Sequence, residues 1–333
     1  MKKSIPKTLL VVKNRALGDS VMGLSTLQYL KSLYPETHLI YSVPKWISPL
    51  YKNVKTAADE ILPLELNSAG DWWKNYKILK SKKIDTVLEL FQSGRTAKFF
   101  HLWEKIGGPH YVFHNHHLTK ESSKYPVRDQ GVIKSNIQRD LDGAWTFFGK
   151  EDVPDFLDFP PFMKTEDNET KDQIVLGIVA TRETKMWPLE YYGKLTYLLK
   201  EKYPNTKILI PLGPGDNHLK EEIKKTMHTD CVFLQGPLSE LPLHLTGSRQ
   251  YIGNDTGIKH ICIALQVPTY TLFGPEPPTE WHPYNLKNHP IYFRENLECR
   301  TRKAHYCGLS TCDSMICLNE FRPENLIKNI TLV

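Results

Sequence analysis

The sequence predicts an α/β protein with two doubly wound domains, each built on a mostly parallel β-sheet. Short apolar runs that suit buried strands alternate with longer segments of helical character in both halves of the chain. A stretch of the first half is echoed in the second half at a fixed offset. The length of 333 residues and a hydrophobic content of 40% are enough for two domains with cores of their own.

The repeat is the most specific of these observations. LKSLYPETHLI at residues 30–40 is echoed by LKEKYPNTKIL at residues 199–209, an offset of 169 residues. In each copy a helix end is followed by a proline, which cannot continue the helix, and then by an apolar strand. Each copy is preceded by another strand, at residues 9–12 or 174–179, and by a polar loop and a helix. Both halves therefore open with the same β-loop-α-β unit, which favours ligand loops at the carboxyl ends of the strands.

A segment of linker composition separates the two halves. Residues 152–172 contain three prolines among aspartate, glutamate and threonine residues. We therefore expect an N-terminal domain at residues 1–160 and a C-terminal domain at residues 161–333. The pattern leaves open whether the last residues return to pack on the N-terminal domain.

The composition favours a cytoplasmic protein. No run of about 18 apolar residues offers a membrane span, and the apolar run at residues 9–12 is too short for the core of a signal peptide. Six cysteines in a long chain without a secretion signal favour reduced thiols over a disulfide framework.

The net charge of +6 is unevenly distributed. Residues 1–150 carry 23 lysines and arginines against 13 aspartates and glutamates, which leaves 20 against 24 for residues 151–333. A basic first half favours an anionic partner such as a phosphorylated lipid headgroup, a membrane surface or nucleic acid. The basic residues lack an interleaved stripe of aromatic residues and a recognisable nucleic-acid-binding motif, which disfavours nucleic acid. Part of the excess has a simpler alternative, a solvated helix face. These residues are Lys74, Lys77, Lys80, Lys82 and Lys83.

The segment GNDTGIKH at residues 253–260 lies between an apolar strand and a helix-like run. Free backbone N–H groups and the positive end of a helix dipole meet at such a point, and Gly257 lets an anion approach the backbone. The segment therefore predicts a phosphate or diphosphate site. Asp255 and His260 flank it, which suggests a ligand that also has hydroxyl groups. The alternative is that Asp255 or Thr256 only caps the helix.

Four groups of residues follow the predicted strands in order. They are NRALGDS at 14–20, TRETKMWP at 181–188, NDTGIKH at 254–260, and FGP at 273–275 with Trp281 and Pro283. Together they resemble glycosyltransferase family 9, the bacterial lipopolysaccharide heptosyltransferase family, over nearly the whole chain. No G-x-G-x-x-G follows either opening strand, which disfavours a dinucleotide-dependent oxidoreductase.

The resemblance implies a GT-B fold, in which two Rossmann-like domains face a central cleft. It also implies metal-independent, inverting transfer of heptose from ADP-heptose to the phosphorylated inner core of lipopolysaccharide. Such an enzyme needs no cofactor. Its partners are a nucleotide-sugar donor and a lipid-linked anionic saccharide acceptor, without nucleic acid. We expect it in the cytoplasm, where any peripheral contact with the inner membrane surface would be electrostatic.

Asp19 fits the family's position for the catalytic base. Inverting transfer needs a group that takes the proton of the acceptor hydroxyl as it attacks the anomeric carbon, and a carboxylate can do so. The alternative is that Asp19 caps a helix at residues 21–33. Acceptor contacts are expected from residues and loops whose alternative is ordinary surface. The candidates are Arg15, Gly18 and Arg95, and the segments 93–96 and 120–128.

The donor side must stabilise a leaving diphosphate without a metal, which requires fixed N–H donors and a cation. By the family pattern, Lys185 is the catalytic cation, and Arg182 is a second candidate. The alternative for Lys185, disfavoured by its place after a parallel strand, is an ordinary surface lysine. Asp255 would bind sugar hydroxyls, and Asp216 would grip the ribose unless it is only a helix cap. The donor-binding candidates are Thr181, Arg182, Lys185, Asp216, Asp255, Thr256, Gly257 and His260.

Two residues depart from the family pattern. Glu276 adds a carboxylate on the donor side, where many members carry threonine or serine, and this could alter the choice of donor. Lys259 adds a positive charge before His260, and we expect it to point to solvent rather than to phosphate.

Four C-terminal cysteines match the number of ligands in a zinc or iron–sulfur site. Their spacing contains no C-x-x-C pair, so reduced or packing cysteines are the favoured interpretation and no metal is expected. They are Cys299, Cys307, Cys312 and Cys317.

Rival functions fit the same fold. A sugar-nucleotide epimerase of GT-B shape would need only the donor, and a transferase could use another nucleotide sugar. A non-catalytic protein would bind a sugar nucleotide without turnover.

Overall fold

The structure is a computed structural model that describes residues 5–92, 94–113, 134–150, 152–167, 169–300, 307 and 311–332. The chain divides into two compact units, Met1–Lys164 and Thr165–Val333. Each unit contains one sheet whose strands are all paired in parallel, with helices in the connections. The prediction of two doubly wound parallel sheets is therefore confirmed. Ser93 and the predicted acceptor loop at 120–128 lie outside the described residues.

The N-terminal sheet is centred on its first strand. Its strands are β1 (Thr8–Val12), β2 (His38–Pro44), β3 (Glu60–Leu64), β4 (Thr86–Glu89) and β5 (His110–Phe113), in the order β3-β2-β1-β4-β5. The helices are α1 (Leu17–Met22), α2 (Leu24–Leu33), α3 (Ala69–Ser81), α4 (Gly94–Lys105) and α5 (Asn136–Phe148), with a 3₁₀ turn at Ser48–Tyr51. Apolar residues of β1 are fully buried, as a strand covered on both faces requires.

The helix expected at residues 21–33 is in fact two helices. α1 begins at Leu17 and the break falls at Gly23, where an added Cβ atom would clash with the Tyr41 hydroxyl. That hydroxyl donates a hydrogen bond to the Ser20 carbonyl, which fixes its position. Asp19 therefore lies in the first turn of α1, after the N-cap residue Ala16, and the alternative that it caps the helix is wrong.

Much of the expected linker is packed against the N-terminal unit. Phe159 meets Tyr29 edge to face at 5.3 Å, and Met163 is buried. Lys164 exchanges backbone hydrogen bonds with Lys55. The next strand already begins at residue 171, so the proline-rich composition marks an extended, packed segment rather than a free connection.

The C-terminal sheet has six strands. They are β6 (Lys171–Gly177), β7 (Lys207–Pro211), β8 (Val232–Leu234), β9 (Ser248–Asn254), β10 (Thr269–Phe273) and β11 (Ile291–Phe293), in the order β11-β10-β9-β6-β7-β8. The helices are α6 (Leu189–Lys202), α7 (Asn217–Thr226), α8 (Leu241–Leu245), α9 (Gly257–Ala264), α10 (Pro278–Trp281), α11 (Ile316–Asn319) and α12 (Pro323–Asn329), with a 3₁₀ turn at Glu183–Lys185. The core includes Trp187, and the C-terminal residues Leu326 and Ile330 belong to it. In the parts of the chain that the structure describes, no helix is long and apolar enough to cross a membrane.

The repeat seen in the sequence is also a repeat of backbone geometry. The C-cap residue that follows α2 is Tyr34, with φ −136° and ψ 70°, and the one that follows α6 is Tyr203, with φ −136° and ψ 73°. Each tyrosine donates its N–H to the carbonyl four residues before it, and a proline follows. The next strand, β2 or β7, then pairs in parallel with the strand that opens its unit. The β-loop-α-β prediction is therefore confirmed in both halves.

Each sheet has a switch point, where connections leave in opposite directions from neighbouring strands. In the N-terminal sheet it lies between β1 and β4, and in the C-terminal sheet between β6 and β9. Ligands of open α/β sheets bind beyond the carboxyl ends of the strands at such points. The predicted site residues follow these four strands, apart from Asp216, which follows β7.

A buried ion pair supports the N-terminal switch point. Lys13 follows β1 and its Nζ lies 2.7 Å from both carboxylate oxygens of Asp140 in α5, with both side chains almost completely buried. Burial raises the pKa of Asp140 to about 6, although Lys13 acts in the opposite direction. The pair thus joins the end of β1 to the last described helix of the unit.

Removing one partner of this pair should destabilise the fold. We expect Lys13→Met to lower the free energy of unfolding by about 3–5 kcal/mol, because Asp140 is left buried without a counter-ion. The double variant Lys13→Met/Asp140→Leu should recover most of this loss. Denaturant titration of the full chain measures both, and Lys45→Met, which breaks an exposed pair with Glu65, serves as a control with little change. Equal losses for the single and double variants would contradict the explanation.

Candidate active site

The carboxyl ends of β6 and β9 approach each other closely at the C-terminal switch point. Gly177 of β6 pairs with Gly253 of β9, and a Cβ atom added at Gly253 would lie 2.5 Å from the Gly177 carbonyl oxygen. A side chain at this position would push the strands apart. The two glycines therefore bring together the loop that follows β6 and the helix that follows β9.

Asn254, the last residue of β9, ties these two segments together. Its amide oxygen accepts hydrogen bonds from the Trp187 N–H (2.9 Å) and the Tyr192 hydroxyl (3.0 Å), and its Nδ2 donates to the Ile178 carbonyl (2.8 Å). The side chain is buried, so a lost partner would leave an unsatisfied polar group in the core. Sequence reasoning gave Asn254 no role of its own, and its only signal was its place before Asp255.

Asp255 holds two lysines at the start of α9. Its Oδ2 lies 3.0 Å from Lys185 Nζ, and its Oδ1 lies 2.6 Å from Lys259 Nζ, one helical turn further along. His260 Nε2 is 4.0 Å from Oδ1. Asp255 and Lys259 are buried, whereas the Lys185 side chain is 15% exposed. The two lysines and one carboxylate leave one positive charge in excess, and Lys185 is the lysine that reaches the surface.

Burial and mutual attraction set the charges of this cluster. Burial alone would raise the pKa of Asp255, but Lys259 and then Lys185 outweigh it and hold the pKa far below its usual range. Burial lowers the pKa of Lys259 to about 8, against the attraction of Asp255. Burial, and next the charge of Lys259, also hold the pKa of His260 well below its usual range. At neutral pH the carboxylate and Lys259 are therefore charged and the imidazole is neutral.

The expectation that Lys259 points to solvent is wrong. Its side chain is completely buried, with Nζ donating to Asp255 and, at 2.9 Å, to the Trp281 carbonyl. The ammonium also lies 4.9 Å from the centre of the Phe273 ring, a cation–π distance. The i, i+4 spacing from Asp255 draws the lysine inward along α9.

The N-terminus of α9 provides the N–H groups that the sequence predicted. Thr256 is the N-cap residue and makes no capping hydrogen bond with its side chain, so the alternative of a capping role for its hydroxyl is wrong. The first N–H groups of a helix have no partner within the helix. Thr256 and Gly257 are partly exposed, like Lys185, which gives an anion access to this end of the helix. His260 is turned inward, where its Nδ1 is hydrogen-bonded to the Tyr284 hydroxyl.

Three other donor-side candidates have different surroundings. Arg182 forms an ion pair with buried Glu276, so the two residues offset each other's charge, and Thr181 is exposed. Asp216 precedes α7 and accepts a hydrogen bond from the Gly213 N–H at 2.7 Å, with no side-chain bond that caps the helix. Its carboxylate closes the loop after β7 and stays partly exposed. Arg182 is linked to the Asp255 cluster (Asp255, Lys185, Lys259 and His260) through its carbonyl, which accepts a hydrogen bond from the Lys185 N–H at 3.0 Å.

The N-terminal switch point collects the acceptor-side candidates. Arg15 and Gly18 follow β1, with the Arg15 guanidinium 4.0 Å from the centre of the Phe91 ring just after β4. Asp19 is 7% exposed, and its Oδ1 is 4.0 Å from Arg15 Nε. Arg95 lies in the first turn of α4, is exposed, and donates to Asn67 Oδ1 at 2.6 Å. This edge thus presents Arg15 beside a nearly buried carboxylate, and Arg95 at the start of the helix that follows β4.

The C-terminal cysteines converge on one small cavity of about 50 Å³. All of them are free thiols, and burial raises the pKa of Cys317 to about 11. Within the residues that the structure describes, no group of three or more histidine, cysteine, aspartate or glutamate side chains is arranged to hold a metal ion. The cavity is lined by Cys299, Cys307, Cys312 and Cys317, among other residues.

The chain is similar in sequence and fold to bacterial glycosyltransferases. It is 24% identical over 326 residues to lipooligosaccharide heptosyltransferase 2 of Haemophilus influenzae, covering 89% of this chain and 91% of that protein. Its fold is similar to that of the Escherichia coli ADP-heptose LPS heptosyltransferase II, with a TM-score of 0.71, 18% identity and 96% coverage of both chains. The iron-containing dodecameric glycosyltransferase TibC of enterotoxigenic E. coli is more distant, with a TM-score of 0.55, 11% identity, and coverage of 99% of this chain and 76% of that one.

The family itself is established by a match over most of the sequence. Residues 72–309 fit the family described as glycosyltransferase family 9 (heptosyltransferase), and this range includes β4 to β11 and the Asp255 cluster. The two parallel sheets match the GT-B folds of solved heptosyltransferases. The chain therefore belongs to glycosyltransferase family 9, the heptosyltransferase family.

Proposed function

We propose that the protein is an inverting heptosyltransferase that moves heptose from ADP-heptose to a phosphorylated saccharide of the lipopolysaccharide inner core. The observation that carries the proposal is the Asp255 cluster. Its carboxylate holds two lysines at the partly exposed N-terminus of α9, in a chain of family 9. Relatives of similar length are named lipooligosaccharide or lipopolysaccharide heptosyltransferase, which supports the choice of sugar and acceptor.

The donor diphosphate would bind at the N-terminus of α9. Lys185 reaches the surface there and would pair with the phosphate that leaves with the nucleoside, while backbone N–H groups at Thr256 and Gly257 bind its oxygens. Asp255 then acts as a positioning residue, because its carboxylate holds Lys185 in place. The excess positive charge of the cluster would stabilise the negative charge that develops on the leaving diphosphate. This gives the metal-independent chemistry its cation.

The remaining donor contacts belong to the sugar and the nucleoside. Asp216 lies at the carboxyl edge of the same sheet and would accept a hydrogen bond from a ribose hydroxyl. Thr181 and Arg182 follow β6 and would border the donor. The ion pair with Glu276 offsets the positive charge of Arg182 and so weakens its attraction for the diphosphate. His260 is neutral and would lie behind the diphosphate. It would help to position Asp255, 4.0 Å away, rather than donate a proton to the leaving group.

Asp19 would be the base of the reaction. The acceptor oxygen forms a bond to the anomeric carbon as the bond from that carbon to the diphosphate breaks, and the hydroxyl proton passes to the Asp19 carboxylate. Arg15, Gly18 and Arg95 would bind the anionic acceptor at the same edge, where two arginines suit phosphate groups. Because such an acceptor is lipid-linked, we place the protein in the cytoplasm with peripheral access to the inner membrane surface.

Replacing Asp19 should separate binding from transfer. Asp19→Ala and Asp19→Asn are expected to keep ADP-heptose affinity and to lose transfer by about 10²-fold or more, because the acceptor proton has no base. Calorimetry with ADP-heptose and ADP release with the core saccharide measure the two effects, and Asp152→Asn is a surface control. Near-normal transfer by both variants would reject Asp19 as the base. Conversion of the sugar nucleotide without acceptor would indicate an epimerase instead.

The pH dependence of donor binding should report on Lys259. We expect ADP affinity to fall as the pH rises through about 8, where buried Lys259 loses its proton and the excess positive charge of the cluster disappears. The terminal phosphate titrates near pH ~6 and adds nothing above neutrality. Lys259→Met should bind ADP about tenfold more weakly at pH 7. Its ADP affinity should no longer fall as the pH rises through about 8.

Calorimetry between pH 6.5 and 9.5 measures this dependence, with Lys225→Met on the surface of α7 as the control. The control should keep both the affinity and the pH trend of the wild type. An unchanged trend in Lys259→Met would show that another group causes it and would contradict the role given to the cluster.

A further inference from the structure

The outer surface of α3 and α4 is an unusual combination of exposed large apolar side chains and lysines. The two helices lie side by side, since Trp72 meets Phe99 at 5.4 Å and Tyr76 meets Trp103 at 6.0 Å, both edge to face. We call residues 69–83 and 94–108 of this surface the α3–α4 face. It belongs wholly to the N-terminal unit.

Three large apolar side chains of the α3–α4 face are more than half exposed. They are Trp73 at 59%, Leu102 at 52% and Ile106 at 62%. Leaving such groups in water forgoes the free energy of burial, so a face that carries several of them is suited to an apolar environment.

The α3–α4 face is also strongly basic. It contains eight lysines and arginines but only two acidic residues, Asp71 and Glu104. Asp71 is engaged in the capping box of α3 with Ser68, and Glu104 accepts from the Tyr111 N–H and pairs with His110. The basic residues are Lys74, Lys77, Lys80, Lys82, Lys83, Arg95, Lys98 and Lys105.

Lysines and aromatic rings alternate within this face, so the expectation that the basic residues lack interleaved aromatic residues is wrong here. Lys77 Nζ lies 4.9 Å from the centre of the Trp73 ring, and Lys80 Nζ lies 5.5 Å from the centre of the Tyr76 ring. Beside them is an open cavity of about 350 Å³ at the C-terminal ends of both helices. Its lining includes Tyr76, Lys80, Lys83, Trp103 and Ile106, together with Asp85, whose carboxylate accepts a hydrogen bond from the Thr8 N–H at 2.8 Å.

We propose that the α3–α4 face binds the surface of an anionic phospholipid bilayer. Trp73, Leu102 and Ile106 would enter the interface between headgroups and acyl chains, the lysines would contact lipid phosphates, and the cavity would take a headgroup. Protein–protein interfaces are depleted in lysine, which makes a protein partner a poor match for this face. This inference rests on the proposed function, because only that function implies a lipid-linked acceptor. It adds the surface through which the protein would reach the membrane.

The position of the face suits delivery of a membrane-anchored acceptor. Arg95 lies in the first turn of α4, at the carboxyl edge of the N-terminal sheet, and the outward residues Lys98, Leu102 and Lys105 follow it at helical spacing. A bilayer on the α3–α4 face therefore lies next to the edge that holds Arg15 and Asp19. A saccharide that projects from the bilayer would reach that edge without leaving its lipid anchor.

Vesicle binding by the full chain tests the proposal. The wild type should sediment with vesicles of phosphatidylglycerol and phosphatidylcholine, and only weakly with phosphatidylcholine alone. Lys77→Glu/Lys80→Glu should weaken binding to the anionic vesicles by about 30-fold or more, because each lysine near such a surface contributes about 1 kcal/mol. Trp73→Ser/Ile106→Ser should reduce mainly the part of the binding that survives high salt. Thermal unfolding confirms that these exposed substitutions leave the fold intact.

The matched control is Leu286→Ser/Lys287→Glu, which alters an exposed leucine (57%) and a lysine of the C-terminal unit and should keep wild-type vesicle binding. Equal losses in the control and face variants would overturn the proposal, as would equal binding to neutral vesicles. Self-association or nucleic-acid binding through this face in place of vesicle binding would also overturn it. Turnover of a delipidated acceptor should be unchanged in the face variants. If wild-type turnover fails while vesicle binding follows these expectations, the proposed function is wrong and the membrane face stands.

Discussion

The carboxylate of Asp255 is the charge on which the C-terminal site depends. It holds one lysine that is completely buried and another that reaches the surface, at the N-terminus of α9. Without it, two ammonium groups and a helix dipole of the same sign would repel one another in a nearly dry environment. The geometry around it is equally constrained, because Asn254 and the close approach of Gly177 and Gly253 fix the backbone on both sides.

The sequence was sufficient for those features that depend on local pattern. The two parallel sheets, the repeated strand–helix–strand units and the helix start at Gly257 follow from periodicity, proline stops and glycine placement. The pairing of side chains across the fold did not follow. Asn254 bonds to groups 62, 67 and 76 positions away, and the inward turn of Lys259 depends on Trp281 and Phe273, which only the folded sheet brings near. The break at Gly23 likewise depends on Tyr41, a residue of the next strand.

The two switch points have different chemical character. In the C-terminal unit the charges are packed tightly, with ion pairs of 2.6 and 3.0 Å, and little of the cluster meets solvent. In the N-terminal unit the tight pair, Lys13 with Asp140, is buried behind the edge of the sheet, whereas Arg15 and Asp19 at the edge stand 4.0 Å apart and the arginine remains exposed. A tight, preorganised site suits a charge that develops on a leaving group, since it needs no rearrangement during the reaction. A looser edge suits a large acceptor that must enter and leave, and it lies beside the basic α3–α4 face.

The duplicated tyrosine–proline helix ends bear on how the chain is synthesised and folded. Thr8 pairs with His38, and Gln173 pairs with Lys207, so each sheet can begin with strands that are near neighbours in the sequence. The entropy cost of closing a loop grows only slowly with its length, and domains generally fold as units in the order of their synthesis. The first β-loop-α-β unit is complete long before the second has been translated. Each sheet therefore has its own starting point for assembly, in two strands that are near neighbours in the sequence.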